Sequence, residues 1–210
     1  MRNTYNDGYS MAHLFADTQN PHILLVKTSS LGDVLHNLPV ASDIARHYPE
    51  ARIDWVVEES FAALPKLHPA VGNVIPVAVR RWRSKLLDAD TWREIAAFRS
   101  TLAARHYDIA LDTQGLLKSA LLMCGAQGLR CGFDRDSARE PLAASLYQRT
   151  FPVTTGQHAV ERNRQLAAQA LGYALEEPAD YGIRPPALPP FTWLAQGPYA
   201  VLLHATSRAR

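Results

Sequence analysis

A short run of aliphatic residues near the start of the chain restricts its fold more than any other feature. Residues 22–27 read HILLVK and place four consecutive aliphatic side chains between a proline and a Thr-Ser-Ser sequence. A strand that is apolar on both faces has to be covered on both faces, which is typical of parallel sheets in α/β proteins. The run is far shorter than the roughly 20 apolar residues that a membrane-spanning helix needs.

Similar runs recur along the chain and alternate with helical patterns. Further strands are predicted at residues 52–57, 74–79, 108–112 and 129–133. Helices are predicted at residues 33–47, with a bend at Pro39, and at residues 92–105, 116–126, 141–147 and 158–171. This alternation predicts a doubly wound α/β domain around a mostly parallel, Rossmann-like sheet.

The distribution of prolines divides the chain into regions. Residues 1–20 show no apolar period and are expected to be a flexible extension, and residues 21–175 hold the predicted α/β domain. Six prolines fall within residues 176–198, which predicts a linker between domains. Residues 199–204 (YAVLLH) predict a new buried strand, so residues 199–210 are expected to begin a second, truncated domain.

Charge and cysteine usage exclude several classes of protein. A net charge of +2 is too small to indicate a protein that wraps nucleic acid, and no nucleic-acid partner is expected. Two cysteines, Cys124 and Cys131, cannot build a disulfide framework or a zinc site by themselves, and both are predicted to be reduced thiols in the core. Because residues 1–20 contain no secretory apolar region, a cytoplasmic protein is expected.

The loop after the first strand is the first candidate for a functional site. Residues 27–33 (KTSSLGD) join that strand to the first helix, and ligands of open α/β sheets bind at the carboxyl ends of strands. Its small residues, among them Ser30 and Gly32, would let backbone N–H groups approach an anion. Asp33 has two interpretations: a first-turn residue that caps the helix, or a general base that deprotonates an incoming hydroxyl. A single glycine excludes a dinucleotide-binding fingerprint.

The densest positive charge lies in residues 80–85 (RRWRSK), which hold four basic side chains within six residues. One interpretation is a solvated loop. The other is a binding site for a polyanion or an anionic membrane surface, favoured by Trp82, which is expected to be exposed among arginines. A basic and aromatic patch can also stack single-stranded RNA, but no RNA-binding motif accompanies it.

Two further cations follow predicted strands. Lys118 lies in a GLLKS sequence that is not a phosphate loop, because Leu117 stands where glycine is required. It is expected either to reach into the cleft or to be solvated. Arg139 either binds carboxylates or phosphates with both of its terminal nitrogens or forms a local salt bridge. The spacing of His158 and Glu161 is not that of a metalloprotease, and His158 is expected to cap or pack against its helix.

Seven segments, in the right order, resemble the ADP-heptose lipopolysaccharide heptosyltransferases of glycosyltransferase family 9. They are residues 26–39 (VKTSSLGDVLHNLP), 54–59 (DWVVEE), 74–83 (VIPVAVRRWR), 114–119 (QGLLKS), 138–143 (AREPLA), 158–162 (HAVER) and 203–208 (LHATSR). The resemblance extends from about Pro21 to the last residue. Within the family, residues 80–83 are similar to those of the members that add the first heptose to the inner core.

The resemblance implies a GT-B fold, in which two Rossmann-like domains face each other across a cleft. It implies inverting transfer of L-glycero-D-manno-heptose from ADP-heptose to Kdo of Kdo-lipid A, with no metal or other cofactor, in peripheral contact with the cytoplasmic face of the inner membrane. Because most of the donor domain is absent from these residues, the chain alone is expected not to catalyse transfer. The alternatives are another heptosyltransferase of the family and a non-catalytic domain that binds polyanions or lipid surfaces.

The resemblance also implies a role for individual residues. Asp33 corresponds to the proposed catalytic base. Ser207 stands where relatives have a threonine, which keeps the hydroxyl. The donor-binding residues implied are Ser30, Gly32, Thr206 and Ser207, and the acceptor-binding residues implied are Arg80, Arg81, Arg83, Lys118 and Arg139.

Overall fold

Six parallel strands form the centre of the fold in the computed structural model, which describes residues 20–184 and residue 200. The strands are β1 (His22–Val26), β2 (Arg52–Glu58), β3 (Val71–Val77), β4 (His106–Asp112), β5 (Gln127–Phe133) and β6 (Arg149–Phe151). Their order in the sheet is β3-β2-β1-β4-β5-β6, and every pairing is parallel. The predicted α/β class with a parallel, Rossmann-like sheet is confirmed.

Helices connect the strands. They are α1 (Leu31–Leu35), α2 (Leu38–His47), α3 (Val79–Ser84), α4 (Ala89–Ala103), α5 (Leu117–Met123) and α6 (Ala159–Leu171), with 3-10 segments at Glu59–Phe61, Pro65–Leu67 and Pro141–Leu146. In the described part of the chain, no helix is long and apolar enough to cross a membrane.

Several local predictions are corrected. The predicted helix at residues 33–47 is two helices, because Pro39 lies in the first turn of α2, where its missing N–H breaks no helical hydrogen bond. The helix predicted at residues 141–147 is a 3-10 segment. β6 lies where no element was predicted, and α3 begins at Val79, the last residue of the strand predicted at residues 74–79, which ends at Val77 as β3. His158 caps α6, as expected, with Nδ1 accepting the Val160 N–H at 3.3 Å.

The core lies on both faces of the sheet, as the aliphatic run predicts. Ile23 and Leu25 of β1 pack in a cluster with residues of α2 and α6, whereas Leu24 and Val26 pack in a second cluster with residues of α4 and α5. All four side chains are fully buried.

The two cysteines differ from the prediction. Cys131 lies in β5 and is buried, and its burial raises the pKa of the thiol to about 12. Cys124 is exposed, because it follows the last turn of α5 rather than facing the sheet. The expectation of two core thiols is therefore wrong for Cys124.

The predicted domain boundaries stay predictions. Residues 1–19, 185–199 and 201–210, which include most of the predicted linker and the predicted second-domain strand, lie outside the described residues. Residues 176–184 of the predicted linker lie against the sheet domain. Arg164 donates to the carbonyl of Glu177 at 2.7 Å, and the N–H of Arg184 donates to the carbonyl of Leu67 at 2.8 Å.

Candidate active site

The sheet topology creates a crevice at the carboxyl ends of β1 and β4. The chain runs outward from β1 to β2 and β3, then returns to place β4 on the other side of β1. The loops after β1 and β4 therefore diverge, which is the place where open α/β sheets bind ligands. We call this region the crevice and define it by residues 27–33, 113–118 and 137–139 together with the first turns of α6.

Asp33 lies in the first turn of α1 and faces the crevice. One carboxylate oxygen, Oδ2, accepts the N–H of Ser30 at 2.9 Å and its hydroxyl at 3.2 Å. The other, Oδ1, accepts Nη2 of Arg139 at 2.9 Å. Asp33 thus takes part in the helix cap, as the first interpretation predicts, and its carboxylate also lies at the mouth of the crevice. Its role as a general base stays a prediction.

The surroundings of Asp33 keep it ionised. Burial acts to raise the pKa of this carboxyl, since its side chain is only 17% exposed. The Ser30 N–H and the positive charges of Lys27 and Arg139 act in the opposite direction and prevail, so its pKa lies below the usual value. At neutral pH the group is a carboxylate that can accept a proton.

Gln114 holds the loop after β1 in place. Its side-chain oxygen accepts the N–H of Thr28 at 2.8 Å and of Ser29 at 3.3 Å, and its Nε2 donates to the carbonyl of Ser29 at 2.5 Å. The N–H of Ser30 is bound by Asp33. The backbone N–H groups of Thr28, Ser29 and Ser30 are therefore bound inside the protein by Gln114 and Asp33. The expected approach of an anion to the backbone at Gly32 stays a prediction.

Asp112 fixes the opposite wall of the crevice. This fully buried carboxylate accepts hydrogen bonds from Ser119 Oγ at 2.7 Å, from the Tyr147 hydroxyl at 2.8 Å and from the N–H of Gln114 at 2.7 Å. Its burial raises its pKa, although the hydrogen bonds act against that shift. The anchored loop directs Lys118 into the crevice, where Nζ donates to Ser29 Oγ at 3.3 Å.

Three cationic side chains, Lys27, Arg139 and Arg162, line one small cavity in the crevice. Lys27 is 2% exposed, and its Nζ donates to the carbonyl of Thr113 at 2.7 Å. Arg162 lies over the ring of Phe133, 5.1 Å from its centroid, and Arg139 completes the group. Together they line a cavity of about 10 Å³, barely the space of one water molecule.

The proximity of these cations changes their proton affinities. Burial is the main cause that lowers the pKa of Lys27 to about 8, with Asp33 partly offsetting it and Arg139 adding to it. Burial and the charge of Arg139 also lower the pKa of Arg162. In the described residues, the hydrogen bonds of the Lys27 ammonium go to a carbonyl and to the amide oxygen of Asn163 at 3.4 Å, not to a carboxylate.

The basic segment of residues 80–85 differs from its prediction. It forms most of α3 and the residue after it rather than a loop. Trp82 is 7% exposed and donates Nε1 to Glu94 at 2.7 Å, so the expectation of an exposed tryptophan is wrong. Arg81 forms ion pairs with Glu94 at 2.7 Å and with Glu59 at 3.2 Å. The Arg80 guanidinium lies 5.5 Å from the ring centroid of Phe61. Part of the positive charge of this segment is therefore already engaged in contacts with acidic and aromatic side chains of other elements.

The structure brings Ser30, Asp33, Lys118 and Arg139 together in the crevice, and Gly32 lies beside them with no atom within 4 Å of where a Cβ would be. No hydrogen bond or ion pair joins α3, with its three arginines, to these side chains within residues 20–184. Thr206 and Ser207 lie outside the described residues. Within residues 20–184, no group of three His, Cys, Asp or Glu side chains is placed to hold a metal ion.

Lys27, Gln114 and Arg162 were not predicted from the sequence as individual site residues. Lys27 gave a signal, because a lysine that directly ends an aliphatic strand cannot reach solvent easily. Gln114 follows the carboxyl end of β4, a strand predicted from the sequence, so its position also gave a signal. No local pattern indicated that the Arg162 side chain would lie in the crevice, because an arginine on a surface helix is normally exposed.

Comparisons with known proteins identify the family of the chain. The model of glycosyltransferase family 9 (heptosyltransferase) matches residues 74–210. Lipopolysaccharide heptosyltransferase 1 of Pseudomonas aeruginosa is 52% identical over 188 residues, which cover 88% of this chain and 52% of the relative. The protein of the same name from Escherichia coli K12 is 48% identical over 188 residues, covering 89% of this chain and 59% of the relative. The chain therefore spans about half the length of the curated relatives it matches.

Solved structures match as well. The E. coli heptosyltransferase WaaC with ADP-2-deoxy-2-fluoro heptose superposes with a TM-score of 0.74 at 49% identity, covering 76% of this chain and 51% of that chain. E. coli ADP-heptose lipopolysaccharide heptosyltransferase II superposes with a TM-score of 0.57 at 21% identity, covering 79% and 47%, which shows a shared fold.

Proposed function

The chain belongs to glycosyltransferase family 9, the heptosyltransferases, and we propose that it is the acceptor-binding part of a lipopolysaccharide heptosyltransferase I. The reaction proposed is transfer of L-glycero-D-manno-heptose from ADP-heptose to a hydroxyl of Kdo in Kdo-lipid A. The observation that carries it is Asp33, an ionised carboxylate in the crevice after the carboxyl end of β1, oriented by Ser30 and Arg139.

The proposed chemistry is a single displacement that inverts the anomeric centre. The acceptor oxygen forms a bond to the anomeric carbon while the bond from that carbon to the ADP phosphate breaks. Asp33 accepts the hydroxyl proton as the new bond forms. A carboxylate with a low pKa suits this step, because a hydroxyl becomes strongly acidic only as it bonds to an oxocarbenium-like carbon.

The acceptor proposed is anionic, which fits the cations of the crevice. Arg139 and Lys118 lie beside Asp33 and can bind a carboxylate or phosphate next to the reacting hydroxyl. Arg80, Arg81 and Arg83 are proposed to contact more distant phosphates of the acceptor. Arg81 is expected to contribute least of the three, since Glu59 and Glu94 already balance its charge.

For the donor, we propose contacts from Ser30, Gly32, Thr206 and Ser207. The open space over Gly32 allows a ligand to approach the backbone there. One solved relative holds an ADP-heptose analogue and another structure of the same protein holds ADP, which supports this class of donor. Cationic side chains are proposed to stabilise the charge that develops on departing ADP, without a metal ion.

The proposed place of action is the cytoplasmic face of the inner membrane, where a lipid-anchored acceptor would be reached by peripheral contact. That the 210-residue polypeptide alone does not catalyse transfer stays a prediction, and a heptose-transfer assay of that polypeptide checks it.

Substitution of Asp33 tests the proposal. In the full-length protein, Asp33→Asn keeps a side chain of the same shape but removes the base, so we expect the rate of heptose transfer to fall by about 10² to 10⁴. Acceptor binding, measured separately by titration, should persist. Asp136→Asn, which changes an exposed carboxylate in the loop after β5, is the matched control and should leave the rate unchanged.

Two results would contradict the proposal. Unchanged transfer by Asp33→Asn would remove Asp33 as the base. Binding of the anionic acceptor without transfer by the wild-type full-length protein would instead support a non-catalytic polyanion-binding domain.

A further inference from the structure

The turn between α3 and α4 presents large apolar side chains to solvent. Leu86, Leu87 and Trp92 have exposed fractions of 53%, 103% and 57%. Every residue from 83 to 90 is exposed, so these side chains project from the surface rather than line a groove. We call Leu86, Leu87 and Trp92 the apolar tip. Single exposed leucines are ordinary, but three large apolar side chains on one turn form a patch that calls for an explanation.

Hydrogen bonds give the turn a defined shape. Trp92 Nε1 donates to the carbonyl of Leu86 at 2.8 Å, and the N–H of Asp88 donates to the carbonyl of Lys85 at 3.0 Å. The Asp88 side chain caps α4 by accepting the N–H of Asp90 at 2.9 Å. The indole N–H therefore has an acceptor within the protein. Because the turn already has a defined shape, its backbone needs no further ordering when the apolar tip binds a partner.

Positive charge flanks the apolar tip. Arg80, Arg83 and Lys85 are exposed and form no ion pair with any residue that the structure describes. Of the acidic side chains around α3 and the turn, Glu59 and Glu94 pair with Arg81, Asp90 pairs with Arg93, and Asp88 caps α4. Leucine and tryptophan side chains next to unpaired basic residues match the two layers of a membrane interface, which are acyl chains and anionic headgroups.

We propose that the apolar tip inserts into the interface of an anionic lipid bilayer, with Lys85 and its basic neighbours at the headgroups. The location fits, because α3 follows the carboxyl end of β3 and so places the tip at the edge of the sheet that carries the crevice. The inference deepens the proposed function, since it assigns the surface by which the protein would reach a lipid-anchored acceptor.

Binding to vesicles that contain no acceptor tests the inference independently of catalysis. The probe is a vesicle of phosphatidylcholine mixed with phosphatidylglycerol, and sedimentation measures binding of the full-length protein. Joint substitution Leu86→Ser and Leu87→Ser should weaken binding by about tenfold or more, because two buried leucines are lost. Lys85→Gln should weaken binding to the anionic vesicles by about fivefold and leave binding to pure phosphatidylcholine unchanged.

The matched control is Leu121→Ser. Leu121 is 57% exposed but lies on α5, away from the apolar tip, so its substitution should leave vesicle binding within about twofold. Vesicles should also shift tryptophan fluorescence of the wild type to shorter wavelength, and Trp92→Phe should remove that shift.

The outcomes separate this inference from the proposed function. If the serine variant binds vesicles as the wild type does, or if the wild type binds none, the inference is overturned, whatever the rate of heptose transfer. If the variant loses vesicle binding but transfers heptose normally to a water-soluble Kdo glycoside, both stand. If vesicle binding depends on the apolar tip while the wild type transfers no heptose, the inference stands and the proposed function fails.

Discussion

The crevice and helix α3 both carry concentrated positive charge at the same edge of the sheet, but they hold it differently. In the crevice, Lys27 and Arg162 line one small cavity and lack carboxylate partners at hydrogen-bond distance in the described residues. In α3, the segment with the densest charge in the sequence, Arg81 is balanced by two glutamates. Arg80, Arg83 and Lys85 stay exposed without an ion pair in the described residues, whereas Lys27 is buried, so the two regions differ in whether their unpaired charge reaches solvent.

The two regions also differ in the interactions that hold them in place. Trp82 anchors α3 to α4 through the core and Glu94, so this helix is held by burial. The crevice is held by hydrogen bonds between loops that are far apart in the chain, such as the contact of Asp33 with Arg139. We expect substitution of Trp82 to act mainly on stability and substitution of Asp33 or Arg139 mainly on catalysis.

The largest expected effect comes from removing the anchor of α3. Trp82→Ala should lower the free energy of unfolding by about 3 to 5 kcal/mol, because it leaves a cavity in the core. Trp92→Ala removes the same side chain from an exposed site and should cost less than about 1 kcal/mol. Denaturant unfolding of both variants measures the difference, and equal losses would contradict the different burial of the two tryptophans.

The buried ammonium of Lys27 should carry the next largest effect. Its pKa is lowered from 10.5 to about 8, so the folded protein bears a penalty that is complete below pH 8 and disappears as the pH rises towards 10.5. The shift corresponds to about 3 kcal/mol. Lys27→Met should remove this penalty, and the stability difference between wild type and variant should shrink as the pH rises through that window.

The rate of heptose transfer by the same variant tests whether the charge of Lys27 contributes to the reaction. We expect Lys27→Met to be at least as stable as the wild type at neutral pH and yet slower, because a positive charge that acts on Asp33 is lost. Thermal unfolding at a series of pH values, together with transfer rates of the full-length protein, gives both quantities. A variant that is as fast as the wild type would show that the charge serves no step of the reaction.

The smallest effect is expected for Arg139, which is partly exposed. Arg139→Gln should lower the transfer rate by about 10- to 100-fold, as removal of one charge-assisted contact does. In the variant, burial and the Ser30 N–H still act on the Asp33 carboxyl. Because the charge of Arg139 is lost, the pKa of Asp33 should rise towards its usual value. Since Asp33 acts as a carboxylate, the acidic limb of the kcat/KM profile should move to higher pH.

A control for this prediction is available in the same loop. Arg135 is exposed and makes no hydrogen bond or ion pair with the described residues, so Arg135→Gln should leave both the rate and the pH profile unchanged. An acidic limb that stays in place in Arg139→Gln would mean that Asp33 does not set it.

Local sequence patterns predicted the strands well and the helices less well. The apolar runs of β1, β2, β4 and β5 stand out because burial on both faces favours apolar residues at most positions, although Asp54 and Asp112 are buried there with hydrogen-bond partners. The short strand β6 was not predicted, since three residues at the sheet edge, two of them exposed, carry no such pattern. Residues 80–85 were predicted to be a solvated loop or a polyanion site with an exposed Trp82, because four charges in six residues obscured the burial of the tryptophan.

For the site, Asp33 could be identified from sequence because both its position after β1 and its motif are local. Lys118 and Arg139 could be named, but their interpretations stayed open until the contacts to Ser29 and Asp33 were seen. Lys27 and Arg162 could not be joined into one group from sequence, since 135 positions separate them and only the sheet topology brings α6 over β1.

The sequence by itself determined the α/β class, the parallel sheet and the loop that carries Asp33, because strand burial and helix starts are encoded by neighbouring residues. Only the tertiary structure decided which charges are paired, that Trp82 is buried while Trp92 is exposed, and that Lys27 lies in the crevice without a carboxylate partner in the described residues. The physical reason is that ion pairing and desolvation depend on side chains that meet across the sheet edge, and their separation along the chain leaves no local pattern to read.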